Sequence, residues 1–125
     1  MRIKEIMNET IAVSSNTTIK EAAKIMKEDN IGSIVILDGD KIAGIVTEKD
    51  IISHVDNLKD KVSKIMSNQV ITIDESENID NAAELMAKNK IKHLPVVNDK
   101  EVVGIVTTTD LIKHCDDLNE DFFLD

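Results

Sequence analysis

Apolar residues recur at helical spacing twice along the chain. Ile19, Ala22, Ala23 and Met26 stand at i, i+3, i+4 and i+7, and Ile79, Ala82, Ala83 and Met86 repeat the pattern. That spacing predicts one buried face of an amphipathic helix. Thr18, with Glu21 three residues on, has the form of a capping box at the first helix start. Unbroken apolar runs follow, Ile34-Val35-Ile36-Leu37 and Leu94-Pro95-Val96-Val97, and such runs predict strands buried on both faces. Asp38-Gly39-Asp40 and Asn98-Asp99-Lys100 turn the chain back into apolar segments at Ile42–Val46 and Val102–Val106, a hairpin pattern. Short strands are predicted at Thr10–Val13 and Val70–Ile73, and second helices at Glu48–Val55 and Thr108–Asp116.

The two halves are therefore copies. At an offset of 60 the 36 pairs from 17/77 to 52/112 contain eleven identities, and Ile6-Met7 matches Ile65-Met66 after a one-residue slip. Periodicity of this kind decides the architecture before any single residue does. Each copy reads βαββα, an α/β (α+β) unit whose crossover implies a parallel pair beside an antiparallel hairpin. A unit of about 55 residues buries too little surface to be comfortably stable alone. The two are expected to pack through their sheets about a pseudo-twofold axis. The expected repeats are 1–58 and 59–115, and Val62, Ile65 and Met66 in the connector suggest a further amphipathic turn. Residues 116–125 form an acidic tail that breaks the repeat and is expected to be loosely held.

Composition narrows the function. Acidic residues outnumber basic ones 24 to 15, for a net charge of −9, which disfavours nucleic acid and an anionic membrane surface. No apolar run approaches the length of a membrane span. The opening Met1-Arg2-Ile3-Lys4-Glu5 lacks the apolar stretch of a secretion signal. The lone Cys115 fits a reducing compartment, so a cytoplasmic location is expected. Trp and Tyr are absent and both phenylalanines lie in the tail, so no aromatic platform exists in the body of the chain. His54, His93 and His114 have no metal-ligand spacing, and no nucleophile elbow, P-loop or dinucleotide fingerprint is present.

The most informative string is Gly-Ile-Val-Thr-x-x-Asp, at Gly44–Asp50 and Gly104–Asp110. Its structural reading is a helix start, with Thr47 and Thr107 as N-caps and Asp50 and Asp110 at positive helix ends. Its functional reading uses the same atoms for a ligand. Gly44 and Gly104 would let a ligand approach the strand backbone. Asp50 and Asp110 can accept hydrogen bonds from ribose hydroxyls, and Thr47 and Thr107 with nearby N–H groups can hold a phosphate. The first strands, through Ile11 and Val13 or Ile71 and Ile73, can sandwich a purine. A cap already points polar atoms outward, so the two roles are compatible.

Residues 1–115 resemble a tandem pair of cystathionine β-synthase (CBS) domains, a pairing also called a Bateman module. The strings that carry the resemblance are Ile6-Met7, Ile19-x-x-Ala22-Ala23-x-x-Met26, Ile31-Gly32-Ser33 and Gly44–Asp50, then Ile65-Met66, His93-Leu94-Pro95-Val96-Val97 and Gly104–Asp110. The resemblance implies a regulatory module that binds AMP, ADP, ATP or S-adenosylmethionine in clefts between the repeats, with no cofactor required and no catalysis. It implies that Asp50 and Asp110 hold ribose and that Thr47 and Thr107 lie near ribose or phosphate. Gly32-Ser33 and Lys92-His93 would face the ligand. These two pairs differ between the copies, so unequal sites are expected, with phosphate drawn to Lys92 and His93. A homodimer and an unidentified protein partner are implied as well. The alternative is a structural dimerisation or protein-interaction module with no nucleotide.

Overall fold

The computed structural model describes residues 1–115; the tail at 116–125 lies outside the described residues. The elements are β1 (Ala12–Ser14), α1 (Ile19–Asp29), β2 (Ser33–Asp38), β3 (Lys41–Thr47) and α2 (Glu48–Ile52), then β4 (Ile73–Asp74), α3 (Ile79–Asn89), β5 (His93–Asn98), β6 (Glu101–Thr107) and α4 (Thr108–Lys113). They form two three-stranded sheets of order β1-β2-β3 and β4-β5-β6. In each, the outer pair is parallel and the hairpin antiparallel. This is the mixed α/β arrangement that the repeated pattern implies.

The apolar helix faces are buried as the spacing requires. Ile19, Ala22 and Met26 pack with Ile34, Ile36, Val46 and Val62 in one core, and Ile79, Ala82, Ala83 and Met86 with Leu94, Val96 and Val106 in the other. Thr18 Oγ1 accepts from Glu21 N–H at 3.1 Å, as a cap does. Both long helices end on a left-handed residue, Asn30 at φ 52° and Lys90 at φ 55°, the usual C-terminal closure. The middle strands are covered on both faces, with Ile34, Val35, Ile36, Leu94 and Val96 wholly buried.

The compact units cut across the sequence repeats. Ile11–Val70 forms one unit, hereafter the continuous unit. Met1–Thr10 joins the described residues from Ile71 onward to form the other, the divided unit. Ile3 and Ile6 sit in the core with Ile73 and Ile79, and Val62 sits in the core with Ile19. The leading turns hang on equivalent carbonyls: Ile3 N–H donates to Glu77 O and Val62 N–H to Thr17 O, both at 2.8 Å. The chain thus passes from unit to unit at Thr10/Ile11 and again at Val70/Ile71. β1 and β4 begin at Ala12 and Ile73, later than the predicted Thr10 and Val70.

The predicted second helices are shorter than the pattern suggested. After Ile52, Ser53 Oγ donates to Lys49 O at 2.9 Å and the His54 ring lies 2.9 Å from Asp50 O. Side chains that take the last carbonyls end a helix, and a 3₁₀ turn at Val55–Asn57 follows. The second such helix stops at Lys113.

Candidate functional site

Two strand-to-helix junctions carry the polar groups singled out by the sequence, one in each unit. In the divided unit β6 ends at Thr107 and α4 begins at Thr108. Thr107 is extended, with φ −121° and ψ 167°, so its N–H and hydroxyl both turn toward the third residue of the helix. Asp110 Oδ2 accepts from Thr107 N–H at 2.8 Å and from Thr107 Oγ1 at 2.9 Å. The reciprocal bond, Asp110 N–H to Thr107 Oγ1, is 3.3 Å. In the continuous unit Asp50 Oδ2 accepts from Thr47 N–H at 2.9 Å and Thr47 Oγ1 at 3.1 Å. The capping role is therefore real at both ends. It engages Oδ2, and among the described residues no hydrogen bond reaches Oδ1 of either carboxylate.

The sheets bring other expected residues to the same ends. Ser33 is paired with Thr47, and His93 with Thr107. Glu48 N–H donates to Gly32 O and Thr108 N–H to Lys92 O, both at 3.1 Å, which locks each pair against its helix start. Ser33 is 5% exposed, whereas Lys92 is exposed. Ile11 and Val13 lie on or beside β1 and are half-buried. Ile71 packs against the core of the divided unit, and Ile73 is buried within it among Ile3, Ile6 and Ile79.

One expectation is corrected. The space over Gly44 and Gly104 is taken by the protein's own chain and not by a ligand. A Cβ on Gly104 would lie 2.8 Å from Asn8 O and 2.8 Å from Met7 Sδ. One on Gly44 would lie 2.7 Å from the Met66 side chain and 2.8 Å from Ser67 O. These segments close on the strands as antiparallel bridges, Asn8 with Ile105 and Ser67 with Ile45. Each glycine follows a bulge, since Ile36 pairs with Gly44 but Leu37 with Ile42, and Val96 with Gly104 but Val97 with Val102. The repeated Ile-Met strings are the signal for this contact.

A residue not foreseen from the sequence joins the Asp110 end. Asn8 Nδ2 donates to Asp110 Oδ2 at 2.8 Å from 102 residues away in the chain. Asp110 is 8% exposed, while Asp50 is only half-buried. Among the described residues no group of three or more His, Cys, Asp or Glu could hold a metal ion. No helix among them is long and apolar enough to cross a membrane. Elsewhere, the Ser76 hydroxyl and then its backbone N–H hold the Asp74 carboxyl below its ordinary 3.8.

Comparison with known proteins extends this picture. The CBS domain family model matches residues 3–57 and 62–117. The CBS domain-containing protein YhcV of Bacillus subtilis is 33% identical over 87% of this chain and 81% of its own length. The uncharacterized protein MJ1232 of Methanocaldococcus jannaschii is 36% identical over 86% of this chain, which spans only 36% of that protein. Other relatives are enzymes, in which the match occupies 22% of the length. Among solved structures, the CBS domain pair of protein MJ0100 in complex with 5′-methylthioadenosine and S-adenosyl-L-methionine superposes with a TM-score of 0.86. It is 38% identical and covers 93% of this chain and 96% of its own.

Proposed function

Because the chain belongs to the CBS domain family, we propose that it is a regulatory module that binds an adenosine-type ligand at its Thr-x-x-Asp ends and performs no chemistry on it. The observation that carries the reading is the recurrence of one polar end in both units, with the carboxylate held through Oδ2; in this reading Oδ1 is the atom offered to a ligand. Ribose presents two vicinal hydroxyls, and a fixed carboxylate oxygen is a strong acceptor for one of them. The complex of the MJ0100 pair with 5′-methylthioadenosine and S-adenosyl-L-methionine supports the adenosine class. In this reading Asp50 and Asp110 hold ribose, Thr47 and Thr107 line its edge, and Ile11, Val13 and Ile71 flank the base. Gly32 and Ser33 border one ligand. Lys92 and His93 border the other and favour a phosphorylated one. A ligand signals only if it binds one state of the module better than another, which a protein partner would then read.

The test is a thermal-shift panel of AMP, ADP, ATP, S-adenosylmethionine, 5′-methylthioadenosine and a guanosine control. At 100 times its dissociation constant a ligand adds about 2.7 kcal/mol of stability. Asp110→Ala is expected to weaken binding at its end by about 1.5–3 kcal/mol, the range of a charged hydrogen bond. Unchanged affinity in that variant removes the ribose assignment.

A second reading, a structural module that assembles as a homodimer without nucleotide, is favoured by one observation. Ile52 and Ile112, equivalent in the two copies, are 69% and 71% exposed. No melting shift with any adenosine compound, together with a dimer by sedimentation, would select it.

A further inference from the structure

We propose that Asn8 is a positioning residue that makes the Asp110 end the tighter of the two ligand positions, by fixing the carboxylate before a ligand arrives. The inference rests on the adenosine reading above and adds the origin of unequal affinity.

Asn8 is itself held firmly. Its N–H donates to Ile105 O at 2.9 Å and its carbonyl accepts from Ile105 N–H at 2.9 Å. Gly104 permits that approach, because any side chain there would meet Asn8 O. From this anchored backbone the Asn8 amide donates to Asp110 Oδ2 at 2.8 Å. Three donors then converge on one oxygen: Thr107 N–H, the Thr107 hydroxyl and the Asn8 amide. Three bonds to one oxygen favour a single Asp110 rotamer, and Oδ1 is the acceptor that remains among the described residues.

The continuous unit repeats the scaffold without the donor. Ser67 pairs with Ile45 as Asn8 pairs with Ile105, and Gly44 gives the same close approach. The shorter Ser67 side chain makes no hydrogen bond to Asp50, whose Oδ2 is held by Thr47 alone among the described residues. A less restrained carboxylate loses more rotamer freedom when a ligand orders it, which weakens binding.

Calorimetric titration of the full chain with AMP and with S-adenosylmethionine tests this. Asp50→Ala and Asp110→Ala assign each binding phase to its end. Asn8→Ser is expected to weaken the Asp110-dependent phase about fivefold, the size of one newly mobile side chain. It should leave the Asp50-dependent phase unchanged and have no further effect in an Asp110→Ala background, a coupling that general loss of stability would not produce. An Asn8→Ser affinity equal to wild type, or a loss that persists without Asp110, overturns the proposal. If Asn8→Ser lowers the melting point, Ser67→Asn decides, because it leaves the Asp110 end intact. A tightened Asp50 phase supports the proposal and an unchanged one overturns it. Absence of binding by the wild type removes the adenosine reading together with this inference, whereas binding that ignores Asn8 removes the inference alone.

Discussion

The continuous and divided units share their strand order, their bulge beside a glycine and their capped polar end, yet differ at three particular points. The first is the parallel pair. In the continuous unit Val35 N–H donates to Ile11 O at 3.1 Å. Pro95 occupies the matching place in β5 and has no N–H to give. Accordingly β1 has three paired residues and β4 only two. The second is the residue beside the carboxylate, Asn8 in one unit and Ser67 in the other. The third is the turn after the first strand. Asn16 N–H donates to Ser14 Oγ in the continuous unit, and Ser76 N–H donates to Asp74 Oδ1 in the divided one. Repetition thus preserves the apolar frame, the bulge glycines Gly44 and Gly104 and the Thr-x-x-Asp caps, while other polar positions have diverged. The apolar frame is what either unit needs to close, so the freedom to specialise lies in its polar residues.

The largest test of that comparison concerns the leading turns. Ile3 and Val62 occupy equivalent, wholly buried places. Ile3→Ala is expected to cost about 2–5 kcal/mol, and Val62→Ala, with one methylene fewer to lose, about 1 kcal/mol less. Hydrogen exchange should show β4–β6 opening in the first variant and β1–β3 in the second. Both sheets opening equally in either variant would mean that the units do not unfold separately. Next in size are Gly104→Ala and Gly44→Ala. Each new methyl meets a backbone oxygen at 2.8 Å and should destabilise by about 1–3 kcal/mol, seen in urea unfolding. Near-neutral melting in both would show that the covering segments yield easily.

The smallest effect is on acid titration. The Asp74 carboxyl is held below 3.8 in the folded chain. The contribution of its bonds to Ser76 is therefore present above that value and lost as pH falls through the lowered one. Ser76→Ala should raise the Asp74 midpoint toward 3.8 by carbon-detected NMR. The turn at Ser14 and Asn16 has no titrating group and should be silent over the same range. An unmoved Asp74 midpoint would assign the shift to something other than Ser76.

Much of this was legible from residue patterns. The helix faces, the buried middle strands and both hairpins follow from the spacing of Ile, Val, Ala and Met. The caps at Thr18, Thr47 and Thr107 were legible because they depend on residues three apart. The exchange of leading turns was not, although Ile6-Met7 and Ile65-Met66 were visible as a repeated string. A periodicity tells which segments are alike and is silent on which copy each segment joins. The same limit hid Asn8, whose partner is 102 residues away, and turned Gly44 and Gly104 into apparent ligand contacts.

The exchanged leading turn also sets a timetable for synthesis. The continuous unit ends at Val70, so all of its strands and helices are made before β4 begins. Ile3 and Ile6 are made before that unit but have no core to enter until β5, β6 and α4 exist. At ~5–20 residues per second the stretch from Val70 to Asp110 takes roughly 2–8 s to translate. During that interval the two isoleucines are parted from the rest of their core, available to a chaperone or to another nascent chain. A chain cut short after Val70 would keep Thr47 and Asp50 but lack Thr107 and Asp110, with Ile3 and Ile6 parted from their core.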